Sequence, residues 1–175
     1  MNPPLDIAPG EDVLWMHAAA KRLGLKEVPG AKHNPEILAM WKRVVGYVPK
    51  RGDEEFWCAI AVGDCLLSAG VAAPKSALAR TYLTWGVSLA EPIFGAAMVL
   101  GRTDDPAKGH VTFFLRAKPS PTAQRFVGRG GNQGNAFCDA TYPMGRVLPG
   151  GIRWPADVPL PPGAKAGVYT PPAGV

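Results

Sequence analysis

The amino-acid sequence predicts an α+β domain in which helices come first and antiparallel strands follow. Three observations predict it. Apolar residues recur with helical spacing up to about residue 86 and with a period of two from Ala97 onward. Hydrophobic residues are 47% of the 175 and charged ones 19%, so a packed core can form and wholesale disorder is excluded. Glycine (21) and proline (19) are both frequent, which argues for many loops and short elements and against a helical bundle. The length fits one domain.

Taken in order, the proline-rich residues 1–10 are expected to be a flexible N-terminus. Residues 11–25 read as a helix with Leu14, Trp15, Ala18, Ala19 and Leu23 as its apolar stripe and Gly24 near its C-cap. Asn34-Pro35 is an N-cap followed by proline at the first helical position, so a second helix should span residues 35–45. After a turn-rich basic connector at 46–52, Asp53 is a candidate N-cap for a third helix. Residues 56–69 are apolar on nearly every side before Gly70 ends the run, the mark of a centrally buried helix. A fourth helix should run from Ser76 to Trp85-Gly86. Strands are then expected at 97–101, 110–116, 125–128, 137–142 and 152–154. The tail, with six prolines among its last 21 residues, reads as an extended appendage. No internal repeat is present.

Nineteen Lys and Arg against fourteen Asp and Glu give a net charge of +5, spread along the chain. No basic run is interleaved with aromatics, so no nucleic-acid partner is expected. Attraction to an anionic polymer fits the charge, as does an ordinary basic surface. No stretch approaches the roughly eighteen apolar residues of a membrane span, so no membrane insertion is expected. The start, MNPPLDIAPGEDV, has neither a basic n-region nor an apolar h-region, so the chain is expected to be made in the cytoplasm without a signal peptide.

Three cysteines, Cys58, Cys65 and Cys138, are too few for a disulfide framework. On one helix the backbones of Cys58 and Cys65 would lie roughly 10 Å apart, too far to bridge. No CxxC or HxxxH pair offers zinc a site, and no metal or cofactor is expected. A nucleophilic thiol needs a base, and the base needs a polar group that holds its tautomer. Cys58 follows DEEFW in the first turns of the buried helix, where backbone N–H groups and the helix dipole favour thiolate. A buried structural cysteine is the competing reading. Cys65, among Val62, Leu66 and Leu67, and Cys138, in a strand, read as small hydrophobes. Of three histidines, His17 lies within the first helix and His33 in a loop. His110 opens a strand in GHVTFF, a rigid mount for a general base. The segment GGNQGN at 130–135 allows close backbone approach and offers the amides of Asn132 and Gln133, although a plain hairpin turn would also suit it.

The segments WCAIAV (57–62), GHVTFF (109–114) and GGNQGN, in the order Cys, His, Asn, resemble the NlpC-like branch of papain-fold cell-wall cysteine peptidases, which is related to the CHAP amidases. LGLKEVPGAKHNPEIL, SALARTYLTWG and IRWP are similar to a bacterial and phage, endolysin-like subfamily of that branch. The resemblance covers about residues 11–155. It implies a papain-like fold, with N-terminal helices packed on a small antiparallel sheet as a catalytic domain at 11–155 and a proline-rich extension at 156–175. It further implies hydrolysis of a peptide or amide bond in peptidoglycan stems, by an endopeptidase or an N-acetylmuramoyl-L-alanine amidase. The match makes Cys58 the nucleophile, His110 the base and Asn132 the orienting residue. Trp57, beside the nucleophile, is expected to flank the cleft, although packing of the helix onto the sheet is an equal reading. Gln133, Asn135 and Trp85 are candidate substrate contacts.

The implied partner is the peptidoglycan stem peptide, with an immunity protein or a phage particle as a second. The implied place of action is the bacterial wall or periplasm, after release by a holin or delivery by a secretion machine. Two departures stand out. Gly95-Ala96 replaces the family's usual Gly-Asp, and a polar insertion, TDDPAK (103–108), precedes Gly109 and is expected to alter the cleft edge. Two other classes stay open: a non-catalytic wall-binding or virion module, and a deamidase or transferase that uses the same residues on a protein.

Overall fold

The computed structural model describes residues 13–119 and 124–171. The flexible segment expected at 1–10, the start of the first expected helix and the end of the tail lie outside the described residues. Helices α1 (Leu14–Lys21), α2 (Pro35–Val45) and α3 (Cys58–Ser68) precede six strands. These are β1 (Val87–Ser88), β2 (Ala97–Gly101), β3 (Gly109–Lys118), β4 (Arg125–Gly130), β5 (Cys138–Pro143) and β6 (Val147–Trp154). They form one sheet in the order β1-β6-β2-β3-β4-β5, and every neighbouring pair is antiparallel. The fold class is α+β.

Local chemistry decides α2. The Asn34 side chain accepts the Glu36 N–H (2.9 Å), Pro35 opens the helix and Gly46 closes it at φ +83°. Elsewhere tertiary bonds override local preference. α1 stops at Lys21 rather than Leu25, because Gly24 N–H donates to Phe137 O (3.0 Å) and Phe137 N–H to Leu25 O (2.7 Å). α3 begins at Cys58, two residues later than the apolar run suggests. Asp53 does not cap it: residues Gly52–Glu54 form a separate 3-10 turn. The buried Asp53 carboxylate faces away, accepting the N–H groups of Val28 (2.8 Å) and Asn34 (2.6 Å) and meeting His33 Nδ1 (2.8 Å).

The fourth expected helix is a 3-10 segment over Ala79–Thr84. Ser76 Oγ accepts the Leu78 N–H (3.1 Å), which leaves Leu78 extended, and the Tyr82 hydroxyl donates to Ala59 O (3.1 Å), drawing the segment onto α3. β1 carries too few residues to show a period. β6 begins at Val147 rather than Ile152, through a Pro-Gly-Gly stretch that reads as a turn. The register shifts opposite it, between Met98 and Leu100. Only glycine fits at 151, where a Cβ would lie 2.7 Å from the carbonyl oxygens of Leu148 and Val99.

The proline-rich tail, through residue 171, does not project as an appendage. Gly167 N–H bonds Ser88 O (2.9 Å), Ala90 N–H bonds Lys165 O (3.1 Å) and Gly150 N–H bonds Tyr169 O (3.0 Å), so the tail covers the β1 edge of the sheet. α3 is buried from Cys58 to Leu66 and packs against α1, α2 and β3. Its Asp64 is neutralised by Arg22 and by Arg43, whose Nε lies 2.6 Å away. Among the described residues no helix is long and apolar enough to cross a membrane.

Candidate active site

Cys58 is the first residue of α3, where the N–H groups have no intrahelical acceptor. The backbone N–H groups of Val111, Ala59 and Cys58 itself favour its thiolate, against the burial that opposes it. α3 packs against β3, the strand that carries His110. Trp57 stands before the helix and is fully buried, with its indole N–H on Glu27 Oε1 (2.8 Å). It anchors the start of α3 and offers no surface to a substrate.

The His110 imidazole meets the side-chain oxygen of Gln133, with Nε2 3.1 Å from Oε1. Both hydrogens of the Gln133 amide nitrogen are used elsewhere, on Gly128 O (3.1 Å) and on Cys138 O. That fixes the amide orientation, so Oε1 must accept and Nε2 of His110 must carry the proton. Nδ1 is then the bare nitrogen available as a base. The Tyr142 hydroxyl donates to Gln133 Oε1 (3.0 Å) and lies 3.2 Å from His110 Nε2, closing a triangle. Cys138 supports Gln133 in turn, its thiol donating to Gln133 O (3.2 Å).

Glycine explains how the loop reaches the helix. A Cβ at Gly131 would lie 2.4 Å from Trp57 Cζ3 and 2.5 Å from Ala61 Cβ, so the backbone rests directly on the first turns of α3. Past it, Asn132 is left-handed at φ 56°, and Gln133 N–H closes a turn on Ala136 O (2.9 Å). Glu27 N–H also bonds Asn135 O (3.0 Å), which ties the loop to the segment whose side chain holds Trp57.

Burial sets the protonation states. It pulls the His110 pKa down to about 4, helped by Arg146 and Arg102 and opposed by the Gln133 hydrogen bond. It also pushes the Cys58 thiol up, against the three N–H groups and the Arg102 charge. At neutral pH the two groups are therefore a neutral thiol and a neutral imidazole. Such a pair transfers its proton as the sulfur attacks rather than beforehand. Cys58 keeps 5% of its surface and His110 9%, while Phe56, two residues before the thiol, is 44% exposed.

The structure brings His110, Gln133 and Tyr142 together, on the sheet against which the Cys58 helix packs, and puts Gln133 where the sequence suggests Asn132. The half-buried Asn132 side chain makes no hydrogen bond among the described residues. Gln133 is 6% exposed and committed to the imidazole and two carbonyls, which leaves it no free group for a substrate. Asn135 is exposed in a left-handed turn (φ 61°). Trp85 belongs elsewhere: its indole N–H donates to Ala72 O (2.9 Å) and its ring meets Tyr82 edge-on. Cys65 is buried, and burial pushes its thiol to about 12, as expected of a packing residue. Tyr142 was not singled out from sequence: it pairs with Phe126 across β4 and β5, and its ring meets those of Phe126 and His110 at a tilt. Among the described residues no three His, Cys, Asp or Glu side chains converge as a metal site would require. Comparison of the chain with protein families, with curated proteins and with solved structures gives no match.

Proposed function

We propose that this protein is a cysteine hydrolase of peptidoglycan stem peptides, built on a papain-like fold of the NlpC type. One observation carries the reading. Cys58 opens a buried helix that packs against β3, and the His110 imidazole on that strand has its Nε2 held by Gln133. This is the arrangement acyl transfer requires: nucleophile, base and orienting acceptor. The resemblance of the surrounding motifs to the wall peptidases supplies the substrate class. The net charge of +5 suits an anionic wall.

In this mechanism His110 Nδ1 takes the thiol proton as Cys58 Sγ attacks the scissile carbonyl carbon. The Cys58 N–H, which has no intrahelical acceptor at the helix start, turns to the oxyanion, a contribution on the order of 3 kcal/mol for one such donor. Collapse breaks the C–N bond, and the departing amine takes the proton from Nδ1. Water then attacks the thioester while Nδ1 accepts its proton. The acyl group leaves as a carboxylic acid and the proton returns to sulfur. Gln133 and Tyr142 hold the Nε2–H side throughout, so the imidazole keeps the tautomer that leaves Nδ1 bare.

Digestion of purified peptidoglycan with the protein, followed by mass analysis of the released fragments, tests the reading. New amine termini that vanish with Cys58→Ala are the expected result. Intact peptidoglycan with a folded wild-type protein would contradict it, and a one-unit mass shift on a protein glutamine would favour deamidation.

A further inference from the structure

We propose that the guanidinium of Arg102 forms an anion subsite beside Cys58 that takes a free carboxylate of the substrate. The inference rests on the reading of Cys58 as the reactive thiol and adds the chemical class of what binds next to it. Sheet register locates Arg102. Leu100 pairs with His110 and Gly101 with Gly109, so Arg102 stands one step past the end of β2, at the end of the sheet that carries His110. Packing locates it again: its guanidinium carbon lies 5.4 Å from the centre of the Phe56 ring, and Phe56 is two residues from the nucleophile. Lys108 Nζ lies 5.7 Å from the same ring, so the last residue of the 103–108 insertion and the residue just before it both rest on an exposed aromatic.

The guanidinium is built for a second partner. Nε and Nη2 engage Asp104 (3.0 and 3.3 Å), which fixes one edge of the fork, while Nη1 makes no hydrogen bond among the described residues. The side chain is 34% exposed, so that free edge is reachable from solvent. A bidentate or single charge-assisted bond to a carboxylate is the interaction such an edge favours. Arg146 adds a second cation. Its Nε and Nη2 both donate to Gly101 O (3.1 and 2.8 Å), the carbonyl just before Arg102, and its guanidinium lies 5.6 Å from the Tyr142 ring centre.

Asp104 and Asp105, the latter 3.3 Å from Lys108 Nζ, are acidic groups of this rim, and Arg80 joins it through Lys108 O (3.2 Å), so Arg80, Arg102, Lys108 and Arg146 outnumber the two carboxylates. Two of those cations draw the His110 pKa down, which a base does not need. An anion bound between the rim and the thiol gives the excess charge a partner. Free carboxylates are what a stem peptide presents around its scissile bonds, and amidation would remove them.

The test compares alkylation of Cys58 by iodoacetate, which carries a carboxylate, with alkylation by neutral iodoacetamide, read as the mass of the Cys58 peptide. The ratio of the two rates cancels changes in thiol reactivity. Wild-type protein should favour iodoacetate relative to a neutral model thiol. Arg102→Gln should lower the ratio about fivefold or more, and Arg102→Lys should retain part of the preference. A ratio equal in wild type and Arg102→Gln would overturn the subsite alone. A Cys58 that reacts with neither reagent would overturn both the subsite and the hydrolase reading. A ratio that drops in the variant, in a protein that leaves peptidoglycan intact, would keep the subsite and remove the hydrolase.

Discussion

Gln133 holds His110 through a single oxygen, 3.1 Å from Nε2, and its own amide nitrogen is pinned by two main-chain carbonyls behind it. A neutral amide so constrained cannot rotate to offer its N–H₂, so the imidazole has one tautomer open to it. Orientation of the base is thereby tied to the path of the glycine-rich loop and, through Gly131 and Trp57, to the first turn of the helix that carries Cys58.

Removing that side chain should cost catalysis more than stability, although the two carbonyls it leaves unpaired cost on the order of 1–3 kcal/mol. Gln133→Ala is expected to lower peptidoglycan turnover by about 10²-fold, the scale of a misplaced general base. Asn132→Gly keeps the left-handed turn and is expected to stay within about threefold of wild type, since the Asn132 amide is bonded to nothing in the site. Initial rates of fragment release from purified peptidoglycan check both, and a larger loss at 132 than at 133 would restore the assignment made from sequence.

Stability should fall with acid for a defined reason. The folded state holds His110 near 4 whereas an unfolded histidine titrates near 6.5, so the unfolded chain binds the extra proton first. The native state is thus fully favoured above about pH 6.5 and loses ground as pH falls from there toward 4, by on the order of 3 kcal/mol in all. Thermal melts from pH 8 to 4 on wild type and His110→Gln test this. The variant lacks the titrating group, so its melting temperature should decline less across that window.

Gly131→Ala should weaken fold and activity together. Its Cβ would stand 2.4 Å from the Trp57 ring and 2.5 Å from Ala61, too close for either to yield without moving the loop. A loss of about 1–3 kcal/mol is expected from overpacking of this kind. Denaturant melts give the stability. Fragment release should fall further than stability alone accounts for, because Gln133 moves with the loop.

Much of this arrangement was legible locally. Asn34-Pro35 and Gly46 bound α2, and Cys58 and His110 each lie near the end of an element whose type follows from apolar spacing. What escaped depends on contacts far apart in the chain. Asp53 looks like a helix cap, yet it is spent on Val28, His33 and Asn34. Residues 76–86 have helical composition, but Tyr82 is drawn onto Ala59 and the turn tightens. Asn132 and Gln133 are adjacent amides, and only the left-handed backbone at 132 decides which one meets the imidazole. Tyr142 enters the site through strand register, a relation between β4 and β5 that neither segment shows alone.

The proposed catalysis needs Cys58 and His110 to act as one pair, and the rate of Cys58 alkylation by iodoacetamide measures that most directly. With His110 as base, the wild-type thiol should react about 10²-fold faster than that of His110→Ala near neutral pH. Equal rates in the two proteins, or a Cys58 no more reactive than Cys138, would contradict the pairing.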